Sequence, residues 1–327
     1  FFVMSGVCRT ANYIAAARAK ESERENPLIV DPWAKEFATD AGFEMLDYFS
    51  RYRMSSMFST DSESEDITVM ITAIRTKFFD HHLLEVMKKE DILQVVILGC
   101  GFDTRSCRLP FSFPEKTKVF EVDLPEVMEI RNNILGTNSS PKNIKEGLPP
   151  RAERISICAD VADIELLKSK LEEASFDKDA KSVWLLEGLL VYLTEEQVHD
   201  LLHFLSIQTN PGSYVIADIH NPATMKSVYN RKYNEDWAEK GAPLIWGTDF
   251  PEDTFRWHGF NTELCCRYGD KDADFGRYLS FLTWLLDGFP RNNLTAPNTF
   301  LFVGRRDDIA ADELTEWKGY LKLEAAR

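Results

Sequence analysis

Apolar runs and amphipathic segments alternate through the middle of the chain. Short runs rich in Val, Ile and Leu predict buried strands at 94–98, 118–122, 154–158, 182–187 and 213–218. Segments 163–174 and 195–207 carry apolar residues at helical spacing and lie between these runs. Because parallel strands need long crossovers, the alternation is typical of a parallel sheet with helices on both faces. We therefore predict an α/β fold with a Rossmann-like core over residues 91–220.

The chain before this core is predicted to be helical. Residues 10–25 place Ala and Ile side chains on one helical face, with Thr10 as the capping residue. Another helix follows a capping-box pattern at 62–65 and carries apolar residues at helical spacing through 67–78. We expect residues 1–90 to form an N-terminal helical cap on the sheet.

The chain after the core changes character. Residues 221–260 are rich in aromatic side chains and lack a regular period, which suits a substrate lid or core packing beneath a long loop. Residues 261–310 would complete the sheet with a strand, a helix and an edge strand, near 261–266, 274–286 and 299–304. A tail, 311–327, follows, and all these parts are expected to form one folded unit.

A glycine-rich turn follows the first predicted strand. Gly99 and Gly101 lack the Cβ atoms that would keep a ligand away from the backbone. Asp123 ends the next strand roughly twenty residues later, where its carboxylate can accept hydrogen bonds from ribose hydroxyls. Dinucleotide-binding turns have a third glycine three residues after the second, and this chain has Thr104 there. The pattern therefore predicts a nucleoside cofactor without a pyrophosphate, and S-adenosyl-L-methionine (SAM) carries no phosphate.

Acidic residues recur at the predicted strand ends. Asp123, Asp160, Glu187 and Asp218 each lie at the carboxyl end of a strand, where open α/β sheets bind their ligands. A single acid there is explained as a helix cap, but the repetition favours a site. His220 also lies at such an end and is the histidine best placed to act as a base, although an ordinary loop histidine fits the same position.

Charge and cysteine content argue against several partners. The net charge is −15 at pH 7 and the pI about 5.0, so the field of the whole chain repels nucleic acid and anionic membrane surfaces. No stretch approaches the roughly 20 apolar residues that a membrane span needs. The 6 cysteines form no C-x-x-C pair, which favours a reducing, cytoplasmic compartment. Cys265 and Cys266 would point to opposite faces of a strand, so no metal site is predicted.

Several separate motifs stand in one order along the chain. The strand ends carry Leu98-Gly-Cys-Gly-Phe-Asp-Thr-Arg105, Phe120-Glu-Val-Asp-Leu-Pro125 and Leu186-Glu-Gly-Leu-Leu-Val-Tyr-Leu193. Asp31-Pro-Trp and Arg75-Thr-Lys-Phe-Phe-Asp80 precede them. Together these motifs resemble the leucine carboxyl methyltransferase family of SAM-dependent enzymes, from about residue 10 to residue 305.

The resemblance implies how the amino-acid end of SAM is bound. Arg75 would pair with the methionyl carboxylate, a charge-assisted contact that can be bidentate, and Arg18 would join it at the same end. Glu187 would face the methionyl ammonium. Gly99 and Gly101 would lie under the methionyl and ribose parts.

The resemblance also implies contacts for the nucleoside and the methyl group. Asp123 would hold the ribose hydroxyls, with the adjacent Leu124 also in contact with the cofactor. Asp160 would accept a hydrogen bond from the adenine amino group, and the backbone of Val161 would contact the ring. Tyr192 would border the transferred methyl and is, with His220, a candidate catalytic residue.

The expected reaction is methyl transfer to an oxygen atom of a small molecule. A sulfonium methyl is already electrophilic, so the acceptor mainly needs alignment and exclusion of water. A carboxylate acceptor is ionised at pH 7 and needs no base, whereas a hydroxyl acceptor would use His220. The short N-terminal region favours the small-molecule branch over the enzyme that methylates the C-terminal leucine of a protein phosphatase.

Other classes of protein are open alternatives at this stage. An NAD-dependent oxidoreductase would share the sheet and Asp123, although Thr104 in place of glycine counts against it. A non-catalytic protein that only binds SAM would share the whole cofactor site. The sequence leaves the acceptor and the oligomeric state undetermined.

Overall fold

The computed structural model describes residues 5–57, 66–111, 116–137, 140–142, 146, 148, 151–227, 230–278 and 297–308. One sheet contains the strands β1 (Gln94–Leu98), β2 (Lys118–Asp123), β3 (Glu153–Cys158), β4 (Ser182–Leu186), β5 (Tyr214–His220), β6 (Phe260–Arg267) and β7 (Thr299–Arg306). Its 7 strands lie in the order β3-β2-β1-β4-β5-β7-β6. The strands from β1 to β5 are parallel, and β7 is antiparallel to both of its neighbours.

The helices that the structure describes flank this sheet or precede it. They are α1 (Gly6–Ser22), α2 (Ala34–Met57), α3 (Ile67–Glu90), α4 (Arg105–Arg108), α5 (Pro125–Leu135), α6 (Ile164–Glu173), α7 (Glu195–Gln208), α8 (Pro222–Lys226), α9 (Arg231–Glu239) and α10 (Pro251–Arg256). A 3₁₀ turn spans Leu190–Tyr192, and Gly136–Thr137 pairs with Ser140–Pro141 in a separate two-stranded ladder. Within the described ranges, no helix combines the length and apolar character needed to cross a membrane.

Apolar side chains pack on both faces of the sheet. Alternate residues of β1 point to opposite faces, so that Val96 packs under α6 and α7 while Ile97 packs under α3. Burial on both faces explains why the parallel strands read as continuous apolar runs. The predicted α/β fold is therefore confirmed, with strand bounds that agree with the sequence pattern to within two residues.

The N-terminal helices form a third apolar cluster, in which α1 and α2 pack beside α5. The sequence pattern placed the start of α1 too late: the helix begins at Gly6, because the Ser5 hydroxyl accepts a hydrogen bond from the Cys8 N–H at 3.3 Å. Thr10 lies inside the helix and donates to the Val7 carbonyl at 2.7 Å. Asp66 caps α3, and the predicted capping box at 62–65 lies outside the described residues.

The region predicted as an irregular lid contains α8, α9 and α10. Phe255 belongs to the core, where its ring stacks on that of Phe302 at 4.3 Å, whereas Tyr233 and Leu244 line a cavity. Some aromatic residues of this region are therefore core residues and others line the cavity, and its role as a substrate lid stays a prediction. Of the helix predicted at 274–286, residues 274–278 form turns, and the rest lies outside the part of the chain that the structure describes.

Candidate active site

A cavity of about 240 Å³ lies at the carboxyl ends of the parallel strands. It is centred on β1, where the strand order reverses and where open α/β sheets bind ligands. Every residue that was given a role from the sequence lines this cavity, namely Arg18, Arg75, Gly99, Gly101, Asp123, Leu124, Asp160, Val161, Glu187, Tyr192 and His220. The structure thus brings them together, and the role of each toward a ligand stays a prediction.

The glycine turn after β1 has a backbone that other residues rarely adopt. Gly99 has φ +58° and Gly101 has φ +47°, both in the left-handed region. A Cβ atom on Gly99 would lie 2.8 Å from Cδ1 of Leu189, which also lines the cavity. A side chain at Gly99 would therefore press on Leu189 and displace the cavity lining.

Asp123 fixes this turn from the end of β2. Its Oδ2 accepts a hydrogen bond from the Gly101 N–H at 2.7 Å, and its Oδ1 accepts one from the Leu124 N–H at 2.7 Å. Burial raises the pKa of Asp123, and the two backbone N–H groups act against that rise. A carboxylate oxygen can accept more than one hydrogen bond, so Asp123 can also receive hydroxyl groups of a ribose.

An ion-pair cluster lies on the other side of the turn. The Arg75 guanidinium contacts Glu187 at 3.0 Å and Asp218 at 3.4 Å, and Arg105 contacts the second oxygen of Glu187 at 2.7 Å. Burial disfavours the charged form of Glu187, but Arg105 and Arg75 outweigh it and lower its pKa to about 2. Opposite charges therefore stand side by side at this end of the cavity, as a zwitterionic amino acid requires.

Arg18 reaches the turn from α1. Its Nε contacts Asp31 Oδ2 at 2.9 Å, and its Nη2 donates to the Phe102 carbonyl at 2.6 Å. Burial disfavours the charged form of Asp31, but Arg18 and Arg108 hold its pKa below the ordinary value. Arg18 thus lines the cavity while its described contacts attach α1 to the glycine turn.

The predicted adenine contacts lie after β3. Asp160 is exposed, and its Oδ1 accepts a hydrogen bond from the Ala162 N–H at 2.9 Å. Val161 is buried beside it. Both residues line the cavity, and the role of Asp160 toward an adenine base stays a prediction.

The wall that faces the strand ends is apolar and aromatic. On α1 it comprises Val7, Thr10, Ala11 and Ile14, at helical positions i, i+3, i+4 and i+7 of one face. Tyr192, Tyr233 and Leu244 also belong to the lining. Burial raises the pKa of Tyr192, so this phenol stays protonated at neutral pH.

His220 occupies the end of β5. It is half-buried, and its Nδ1 lies 2.7 Å from the Thr299 hydroxyl on β7, which orients the ring. Among the described residues, no group of three or more His, Cys, Asp or Glu side chains is arranged to hold a metal ion.

Some residues of the site were missed in the sequence. Arg105 stands in the glycine motif but was given no role, although its position could have assigned it to the cluster around Arg75 and Glu187. Asp218, two residues before the end of β5, was recognised only as a strand-end acid, and its contact with Arg75 was not predicted. Tyr13 carried no such signal, because α1 does not follow a strand end. Tyr233 belongs to the aromatic segment for which a lid and core packing were both left open, and it lines the cavity.

A glycine turn after one strand and an acid at the end of the adjacent strand are the arrangement expected of a SAM-dependent methyltransferase. A Streptomyces avermitilis protein named as such is 31% identical over 282 residues, which cover 84% of this chain and 90% of that protein. A Mycobacterium marinum protein with the same name is 31% identical over 313 residues, which cover 93% of this chain and 88% of that protein. Residues 11–206 match the family model for leucine carboxyl methyltransferase. The chain belongs to the leucine carboxyl methyltransferase family, and SAM is its cofactor.

Solved structures share the fold. A DUF574 family protein from Streptomyces avermitilis superposes with a TM-score of 0.56 at 14% identity, covering 89% of this chain and 96% of that one. A Thermobifida fusca protein described as a methyltransferase superposes with a TM-score of 0.59 at 15% identity, and the match covers 91% of this chain and 94% of that one. The relatives leave the NAD-dependent oxidoreductase alternative without support.

Proposed function

We propose that this methyltransferase transfers the methyl group of SAM to an oxygen atom of a small, largely apolar molecule, and that the oxygen belongs to a carboxylate. One observation carries the proposal: apart from Thr10 and Arg18, the described residues with which α1, the 3₁₀ turn and α9 line the cavity are apolar or aromatic, and none of them is an acid. An acceptor carboxylate would meet no like charge on this wall. Bound SAM would supply an electrophilic methyl group that needs no further activation.

The residues of the cavity fit SAM. The Arg75 guanidinium would bind its carboxylate and Glu187 its ammonium, since the pKa of about 2 keeps Glu187 ionised at neutral pH. Asp123 would receive the ribose hydroxyls, with Leu124 beside it, and Gly99 and Gly101 would leave room for the chain between ribose and methionyl.

The remaining assignments concern the base and the acceptor. Asp160 would accept a hydrogen bond from the adenine amino group, and Val161 would contact the ring. Arg18 would support the carboxylate end through its contact with the Phe102 carbonyl. Tyr192 would donate a hydrogen bond near the transferred methyl, because its raised pKa makes it a donor and a poor base at neutral pH.

The family description supports a carboxyl acceptor, because it names carboxyl methylation. A carboxylate is ionised at pH 7, so no general base is required. We further infer a cytoplasmic location, which the 6 free cysteines support.

A hydroxyl acceptor is the second candidate. His220 lines the cavity, and the Thr299 hydroxyl at 2.7 Å from Nδ1 orients its ring, which is the arrangement a general base needs. In that case His220 would take the proton from the acceptor hydroxyl as the methyl group is transferred.

The experiment is a screen with SAM that carries a labelled methyl group. Acceptors would be matched aromatic and aliphatic carboxylates, the corresponding phenols and alcohols, and a peptide that ends in leucine. Labelled methyl esters of small acids are the expected product. Methyl ethers would favour the hydroxyl candidate, methylation of the peptide alone would favour a protein substrate, and tight SAM binding without any product would favour a non-catalytic protein.

A further inference from the structure

A buried arginine lies directly beneath the glycine turn. Arg131 on α5 is completely buried and lies outside the cavity lining. Its Nη1 donates to the Gly101 carbonyl at 2.9 Å and to the Asp103 carbonyl at 2.5 Å. Two carbonyl groups of the turn are therefore held by one side chain that no ligand in the cavity would touch.

Glu121 on β2 holds this arginine in place. Arg131 Nη2 lies 2.7 Å from Glu121 Oε1, and the Ser106 hydroxyl donates to the same oxygen at 2.6 Å. Burial disfavours the charged form of Glu121, but Arg131 and Arg154 outweigh it and lower its pKa to about 2. The carboxylate thus stays ionised at neutral pH and fixes both Arg131 and the first turn of α4.

The turn is consequently held from both sides. Asp123 accepts the N–H of Gly101 at 2.7 Å, while Arg131 binds its carbonyl at 2.9 Å. Gly101 has φ +47°, and a glycine can adopt many other backbone conformations at little cost. The two contacts therefore restrict the backbone of this residue to one conformation. Fixing a binding loop before the ligand arrives lowers the ordering cost of binding.

We propose that Arg131 is a positioning residue that fixes the glycine turn in the conformation that binds SAM. This inference rests on the proposed SAM site at Gly99, Gly101 and Asp123. Arg131 acts through the backbone of the turn and contacts neither the cofactor nor the acceptor.

Arg154 provides a matched control. It shares the partner of Arg131, because its Nη2 contacts Glu121 Oε2 at 2.6 Å, and it is also buried. Its Nη1, however, donates to the Gly136 carbonyl at 2.8 Å, which does not belong to the cavity. Loss of either arginine removes a buried charge beside Glu121, but only loss of Arg131 releases the turn.

The experiment compares Arg131→Met, Arg131→Lys and Arg154→Met with the unsubstituted chain. We measure SAM and S-adenosylhomocysteine affinity by calorimetry, the free energy of unfolding in urea, and hydrogen exchange of a peptide covering 98–105. We expect Arg131→Met to weaken both ligands on the order of tenfold more than Arg154→Met, with faster exchange in the turn. Arg131→Lys keeps the charge and should recover part of the affinity for both ligands. If Arg131→Met does not fold, Arg131→Lys takes its place in the comparison with Arg154→Met.

Equal losses of affinity in the Arg131 and Arg154 variants, with equal exchange of 98–105, would overturn the inference while leaving the SAM site intact. Failure of the unsubstituted chain to bind SAM would overturn the cofactor site instead. The exchange comparison needs no ligand, so it still decides whether Arg131 fixes the turn in that case.

Discussion

The two ends of the cavity are built in different ways. The end where we propose that SAM binds, called the cofactor end, consists of strand ends and the turn after β1, and its charged groups are paired with one another, as Arg75 is with Glu187 and Asp218. The end where we propose that the acceptor binds, called the acceptor end, consists of helix surfaces and a 3₁₀ turn, and apolar and aromatic groups dominate it. One end is therefore fixed by hydrogen bonds and ion pairs, and the other by side-chain packing.

This difference separates the binding of the cofactor from the choice of the acceptor. Paired charges with fixed geometry suit a ligand that never changes, because each partner recognises one atom of it. A packed apolar wall can change its shape through single substitutions and leave the sheet intact. A change of acceptor therefore requires substitutions in this wall alone.

The strongest test of the cofactor end is Arg75→Ala. The ligand carboxylate would lose its charged partner, and we expect SAM affinity to fall by about 2–5 kcal/mol. Folding should survive, since Glu187 keeps Arg105 at 2.7 Å and Asp218 keeps the Gly188 N–H at 2.5 Å. Calorimetry with SAM measures the effect.

The control for that variant is Arg256→Ala, which removes a surface arginine whose side chain is 57% exposed. It should leave SAM affinity unchanged. An Arg75→Ala protein that is stable and binds SAM as tightly as the unsubstituted chain would remove Arg75 from the cofactor site.

A smaller effect is expected for Gly99→Ala. The left-handed φ of +58° should cost about 1–2 kcal/mol in an alanine, and the new Cβ would press on Leu189 at the cavity wall. Gly241→Ala has the same kind of backbone, with φ +82°, but its Cβ would meet nothing within 4 Å. Urea unfolding should show a loss of stability for both variants, larger for Gly99→Ala because of the contact with Leu189, and only Gly99→Ala should also lose SAM affinity. Equal SAM affinity in the two variants would mean that the backbone at Gly99 does not contribute to cofactor binding.

The cofactor end was largely predictable from the sequence. Gly99, Asp123 and Glu187 follow directly after strands that apolar runs mark, and parallel strands bring their carboxyl ends to one edge. The contact of Arg131 could not be predicted, because it is made to backbone carbonyls and no side-chain pattern encodes those. For the same reason, only the structure shows that Arg131 holds the glycine turn.

The acceptor end was much less predictable. Val7 belongs to the cavity wall because α1 begins one turn earlier than its apolar pattern indicated, at the Ser5 cap. Tyr233 comes from a region whose aromatic residues divide between core and cavity, and composition does not say which goes where. Walls assembled from distant segments depend on tertiary packing, which local periodicity does not report.

Asp160→Asn tests whether the cofactor end recognises the adenine base of SAM. An amide can cap the Ala162 N–H as well as a carboxylate does, so stability should hold, while loss of the adenine contact should cost about 1 kcal/mol in SAM affinity. Asp163→Asn is the control, because Asp163 caps α6 at the Leu166 N–H and does not line the cavity. If the unsubstituted chain binds S-inosyl and S-adenosyl ligands equally, Asp160 does not distinguish the base.

The smallest expected effect concerns pH and His220 at the acceptor end. Glu187 has a pKa of about 2 and the Tyr192 pKa is raised, so neither group changes charge between pH 6 and pH 8. An acceptor carboxylate is ionised throughout that range, and methylation of the preferred acid should therefore be nearly independent of pH. His220→Ala should then change the rate no more than His203→Ala, which alters a histidine of α7 that does not line the cavity. A rate that rises with pH through the titration range of histidine, and loses that rise in His220→Ala alone, would instead establish a hydroxyl acceptor with His220 as its general base.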